Sequence, residues 1–266
     1  MTAERSGAEN IDRTLGLLWR ARGGAGEPTR GRRPTLSVER IVAAAIAVAD
    51  ADGLAAASMH RVAKELGAGT MTLYTYVPGK AELVDLMVDD VLVERRLPGP
   101  GEPRPVGWRE QVALYASRTG EAYRKHPWLC EVSRVRPPLG PGQLAGQEYL
   151  LSIVDALGLP PRQAVAAANG IGTYIDANAA LGAENTRLER STGQSTEAWW
   201  HQRSSFWENH FVVDAHPSIN RMWLGGGFEQ TAEAQGDAAY EFGLNRMLDG
   251  IEALVSGDQQ SRTSKP

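Results

Sequence analysis

Between residues 37 and 94, apolar side chains return every three or four positions, the spacing of helices with one buried face. Val38, Ile41, Val42, Ala45, Ile46 and Ala49 form the first stripe, with Ser37 placed to cap its start, Glu39 in its first turn and Gly53 to stop it. Met59, Val62, Ala63 and Leu66 form a second, shorter stripe over residues 59–66, opened by Ser58 and closed by Gly67. After "GAG", Thr70 stands as the cap of a third helix of about two turns, anchored by Met71, Leu73 and Val77 and ended by Pro78-Gly79. A fourth helix begins near Lys80 and carries Leu83, Leu86, Met87, Val91 and Leu92. Two short helices joined by a glycine turn, behind a longer first one, form a helix-turn-helix arrangement. The third helix is too short to stand alone, so it must be held by the other two, with its opposite face left free.

A Pro/Gly-rich break at 97–107 separates this region from a second set of helical patterns. These run over 108–131, "GQLAGQEYLLSIVDALG", "PPRQAVAAANGIGTYIDANAALG", "STEAWWHQRSSFWENHFV" and "AAYEFGLNRMLDGIEALV". Alternating strand patterns are scarce, so the expected fold is all-α: a three-helix N-terminal module and a larger helical bundle. The expected divisions are an N-terminal extension (1–33), the helix-turn-helix domain (34–96), a ligand-binding and dimerisation domain (97–258) and a disordered tail (259–266). Within the extension, Ile11, Leu15, Leu18 and Trp19 recur at helical spacing and predict a short helix before the basic stretch "RGRRP".

Composition changes the picture in one respect. The net charge is −4, yet residues 1–80 carry 11 Lys and Arg against 8 Asp and Glu, and the rest carries 17 against 24. The basic excess thus sits on the helix-turn-helix side, where an anionic partner would bind. A single cysteine, Cys130, excludes a disulfide framework, and no apolar run approaches the ~20 residues of a membrane span. A cytoplasmic protein is the expectation.

The stretch "TLSVERIVAAAIAVADADGLAAASMHRVAKELGAGTMTLYTYVPGKAELVDLMVDDV", with its D-x-G-L, "MHRVAKELG", "TMTLYTYV" and K-x-E-L in succession, resembles the TetR family of bacterial transcriptional regulators. The distal "EFGLNRMLDGIEALV" is similar to the last helix of one of its C-terminal classes. The resemblance implies a homodimer that binds a palindromic double-stranded DNA operator, most simply as a repressor, and that is released by a small molecule. It implies DNA contact by Thr70, Met71, Thr72, Tyr74, Thr75 and Tyr76, a phosphate contact by Lys80, and another near Ser58, Met59 and His60. Hydroxyls suit phosphates and groove edges, and with no Arg, Gln or Asn on this helix bidentate base reading is weak. Of the two tyrosines, Tyr74 is the more expected to turn toward the core. At least one of Arg30, Arg32 and Arg33 is expected to reach DNA from the extension, in a minor groove or along the backbone.

For the effector, the expected polar and aromatic handles are Tyr123, His126, Trp128, Asn169, Tyr174, Asp176, Asn178, Trp207 and His210, suited to an amphipathic, partly aromatic molecule. "AWWHQRSSFWENHF" and "FGLNRMLDGIEAL" are the segments expected to pair with a second subunit. Two rival readings differ in class. One is a constitutive DNA-binding or architectural protein with a filled C-terminal core. The other is a metal-dependent enzyme built on His201, His210, Asp214 and His216, which Pro217 disfavours. No catalytic residues, metal or cofactor are assigned, and Cys130 reads as a small buried hydrophobe rather than a nucleophile.

Overall fold

The computed structural model describes residues 11–20 and 36–263, with side chains to residue 257. Among the described residues there are twelve α-helices and no β-strand, an all-α fold. In order, these are α1 Ile11–Leu18, α2 Val38–Asp52, α3 Met59–Glu65, α4 Thr70–Tyr76, α5 Lys80–Glu94, α6 Trp108–Lys125, α7 Pro141–Asp155, α8 Pro161–Thr192, α9 Thr196–His201, α10 Ser205–Asn209, α11 Pro217–Leu224 and α12 Ala232–Thr263. The chain divides into two compact units, up to Glu184 and from Asn185. No helix of the described residues is long and apolar enough to cross a membrane.

Local chemistry sets the first helices. Ser37 accepts the Arg40 amide at 3.3 Å and Ser58 the Arg61 amide at 3.2 Å, each satisfying an amide that the first helical turn leaves open. Gly67 ends α3 with a φ of +62°, and the amides of Gly67 and Ala68 return to the carbonyls of Lys64 and Ala63, a closing pattern that needs the left-handed residue. The cap of α4 is Gly69 rather than Thr70, which is the first helical residue instead. Leu73 and Val77 are fully buried, whereas Met71 is 77% exposed and anchors nothing.

The first unit is organised around α5, which buries an apolar stripe together with Glu82, Asp85 and Asp89. Helix α7 lies against it at near-backbone distance because Gly142 has no side chain: a Cβ there would stand 2.4 Å from the Asp89 carbonyl oxygen. Asp89 Oδ1 accepts the Gln143 amide at 3.0 Å, so a buried carboxylate of α5 caps the positive end of α7. Gly146, one turn on, leaves room for the Arg95 guanidinium.

Three expectations are corrected. The buried face of α1 is Thr14 and Leu18, while Ile11 and Trp19 are exposed at 61% and 53%; a two-turn helix can rotate to whichever face its neighbours offer. The run around Trp199 and Trp207 is not one long helix but α9 and α10, broken across the polar Gln202-Arg203-Ser204. The two long helices are α8 and α12, each of 32 residues, and α12 continues to Thr263 through the region read as a tail.

Candidate functional site

Two surfaces carry chemistry in the first unit. On α4, the side chains of Met71, Thr72, Tyr74 and Thr75 are exposed, and Thr70 is partly so. The Thr75 hydroxyl donates to the Thr72 carbonyl at 2.7 Å, which leaves its oxygen available only as an acceptor. The tyrosine expectation is reversed: Tyr74 is 40% exposed, and Tyr76 packs against the core. His60 is exposed, with Nδ1 3.3 Å from Thr70 Oγ1, so the first residues of α3 and α4 meet. Ser58 uses its hydroxyl on the α3 cap. Met59 is 5% exposed, which removes its side chain from any outward contact; its apolar chain fills the core beneath α3. Lys80 opens α5 directly behind Gly79, at a helix N-terminus where an anion is favoured. Arg30, Arg32 and Arg33 lie outside the described residues.

The second surface is a cavity of about 770 Å³. Its depth is formed by buried Leu129, Leu150, Tyr115 and Tyr123, and Arg134, Val135, Gln147, Asn169 and Thr173 are its exposed members. Arg95, only 4% exposed, holds the floor. Its guanidinium donates to the Leu92 carbonyl (3.2 Å), Thr119 Oγ1 (3.4 Å) and the Gly142 carbonyl (3.3 Å), and stands 5.3 Å over the Tyr115 ring. Those bonds use three of five N–H groups. Arg134 donates to the Tyr123 hydroxyl at 3.2 Å and lies 3.8 Å from the Asp176 carboxylate.

Asp176 is enclosed by protein, yet keeps 29% of its side-chain surface open, the combination expected of a group on a cavity wall. Burial raises its pKa above the ordinary carboxylate value, and the charges of Arg95 and Arg134 only partly offset this. Burial, and then the Asp176 charge, also push Tyr123 up to about 12 and raise Tyr115, so both phenols stay protonated donors. A carboxyl whose folded pKa is raised binds more protons in the folded state, so stability falls as pH rises from the unfolded value toward the folded one, and the cost persists above it. Asp176→Asn is therefore expected to be more stable than the parent at neutral pH, with the difference vanishing below about pH 4. Thermal melts of both proteins between acid and neutral pH measure it. A residue that costs stability at this position is typical of a binding site.

Of the side chains expected to meet an effector, Tyr123, Asn169 and Asp176 lie on this wall. His126 and Trp128 do not: they are 1% exposed and tie α2 to the short 3₁₀ turn Pro127–Glu131. His126 Nδ1 lies 2.7 Å from Asp50 Oδ1, Trp128 Nε1 donates to the same oxygen at 2.8 Å, and His126 Nε2 lies 3.3 Å from Glu94, which Lys125 also contacts. Partial burial opposes it, but the hydrogen bonds from Lys125 and His126 hold Glu94 below the usual carboxylate range. Tyr174 and Asn178 also lie off the wall, and Asn178 Nδ2 bonds the Tyr174 carbonyl at 2.8 Å along α8. Trp207 and His210 belong to the second unit, where they join a ring ladder with Phe206, Phe211 and Trp223. Cys130 is half-buried against the core. Among the described residues no group of three or more His, Cys, Asp or Glu side chains could hold a metal ion. Sequence reasoning missed Arg95, Tyr115 and Arg134; the one available signal was an arginine at 95 set in the apolar spacing of α5.

Known families match both halves. The model described as bacterial regulatory proteins, tetR family, covers residues 41–87, and that of the tetracyclin repressor-like C-terminal domain covers 100–255. The chain belongs to the TetR family of transcriptional regulators. Among its TetR relatives, the HTH-type transcriptional repressor DrrR1 of Streptomyces coeruleorubidus is 38% identical over 258 residues, 96% of this chain and 90% of that protein. The TetR family protein ActR of Streptomyces coelicolor, in complex with actinorhodin, superposes with a TM-score of 0.67 at 28% identity, over 84% of this chain and 97% of that one. Its complex with (S)-DNPA gives a TM-score of 0.63 at 28% identity, over 82% and 98%.

Proposed function

We propose that this TetR-family protein is a repressor that binds a palindromic DNA site as a homodimer and leaves it when a small molecule enters the cavity. One observation carries the reading: α5 belongs to both surfaces. It begins at Lys80, beside the DNA-facing helix α4, and supplies Val88 and Leu92 to the cavity wall, with Arg95 one residue past its end. The span from Lys80 to Arg95 is about 22 Å of helix, stiff enough to carry a shift at one end to the other. A displacement of a few ångströms is enough, because paired recognition helices must match the groove repeat.

The dimer is supported by the second unit, where Trp199, Trp200, Phe206, Trp223, Phe228 and Phe242 are 41–67% exposed. Aromatic surface on that scale is characteristic of an interface. The cavity speaks against a filled-core constitutive regulator. Its tyrosines offer ring faces and phenol donors, its two arginines bind acidic or carbonyl oxygens, and Asp176 accepts from a hydroxyl, so the ligand is an amphipathic, partly aromatic molecule. ActR, solved with actinorhodin and with (S)-DNPA, supports that class.

Selection of bound duplexes from random DNA, followed by a screen of aromatic acids and phenols for release of the selected duplex, tests this. The expected outcome is a two-fold symmetric consensus and at least one releasing compound. A bound consensus without symmetry would contradict the dimeric reading.

A further inference from the structure

Residues 11–20 fall outside both family matches, and neither the DNA-facing surface nor the cavity chemistry uses them. We propose that α1 is a strut tying the rim of the cavity to the recognition helix, with Arg13 and Trp19 as its positioning residues. Its functional meaning rests on α4 being the DNA-reading helix; its mechanics do not.

Burial provides the hold. Leu18 is 1% exposed and Thr14 5%, Leu15 and Leu17 pack on the core, and α1 lies along α5. Three hydrogen bonds then leave α1 and the two residues after it for three different places. Arg13 Nη2 donates to the Thr75 carbonyl at 3.0 Å, in the last turn of α4. Carbonyls of a last turn lack helical partners and favour a cation, so this bond fixes where α4 ends. Arg20 Nε donates to Glu39 at 2.8 Å, in the first turn of α2. Trp19 Nε1 donates to the Leu139 carbonyl at 2.8 Å.

Leu139 is the point at which the cavity enters. Pro137 and Pro138, immediately before it, line the cavity, and α7 begins two residues later. Two consecutive prolines have fixed φ angles, so the rim has fewer backbone rotations with which to absorb a displacement by a ligand, and part of it passes to Leu139. From Arg13 to Trp19 the helix rises about 9 Å as one hydrogen-bonded body. A pull on the Leu139 carbonyl is therefore delivered to the Thr75 carbonyl through α1, in addition to the path along α5. In the absence of ligand, the same strut holds α4 in register with the rim.

The test is amide hydrogen exchange on the full chain, parent against Trp19→Phe and Arg13→Met. Trp19→Phe keeps an aromatic ring and removes the N–H. The expected result is exchange about three- to tenfold faster at residues 73–77, the segment holding the Val77 amide bonded to Leu73, although the lost bond ended at Leu139. Reciprocally, Arg13→Met speeds exchange at residues 139–144 by a similar factor, Arg13→Lys restores most of it, and α12 is unchanged in every variant. Changes confined to the neighbourhood of each deleted bond would overturn the strut, as would no change, or a uniform acceleration that includes α12.

Discussion

Trp128→Ala is expected to lower the unfolding free energy of the first unit by about 3–5 kcal/mol, the range for removing a fully buried aromatic ring. Two losses combine. The ring is 1% exposed, so its removal leaves a cavity, and its N–H is one of two donors on Asp50 Oδ1, the other side being His126. Trp128→Phe, which keeps most of the volume, is expected to cost about 1–2 kcal/mol, chiefly the hydrogen bond. Urea denaturation followed by circular dichroism measures both. An alanine variant as stable as the parent would mean that Trp128 is not a structural tie between α2 and the turn that carries Leu129 to the cavity. That outcome would return it to the list of effector contacts.

On α4, the helix proposed to read DNA, Tyr74→Ala is expected to weaken binding to the selected duplex by about tenfold or more while changing binding to unrelated DNA little, as for a contact worth about 1–3 kcal/mol that reads sequence. Lys80→Gln should behave differently. A phosphate contact is lost equally on all sequences, and the slope of log affinity against log salt falls by about 1. Tyr76→Phe, at a side chain packed against the core, is expected to leave the ratio of specific to nonspecific affinity unchanged. Fluorescence anisotropy at several salt concentrations separates the three. If Tyr74→Ala lowered both affinities alike, the tyrosine would be a positioning contact and sequence would be read by Thr72 and Thr75 or by DNA shape.

The N-terminal module was legible because its signals are local. Ser37, Ser58, Gly53 and Gly67 each act within a few residues, and all four sit at helix boundaries where their chemistry places them. The orientation of short helices was not legible. In α4 and α1 two turns of pattern leave the buried face open by a residue or two, so Met71 and Trp19 read as anchors although the neighbouring helices turn them outward. The cavity was legible only in part, for a different reason. Tyr123, Asn169 and Asp176 were found as polar or aromatic positions within apolar helices. Arg95 and Arg134 belong to a residue type that is ordinarily solvated. Only the space beside Gly146 shows that Arg95 turns inward, and only the neighbouring Tyr123 hydroxyl shows that the exposed Arg134 reaches the cavity wall. In the second unit, the aromatic run from Trp199 to Phe211 has helical spacing throughout, and nothing in spacing alone marks the break between α9 and α10.

The most direct measurement of the central claim is ligand-driven release of the selected duplex from the parent and from Thr173→Trp, which places a large ring at an exposed position of the cavity lining without disturbing buried side chains. The expected result is full release from the parent and DNA binding of equal affinity but no release from Thr173→Trp at the same compound concentration. Equal release from both proteins would contradict the assignment of this cavity as the site through which a small molecule controls DNA binding.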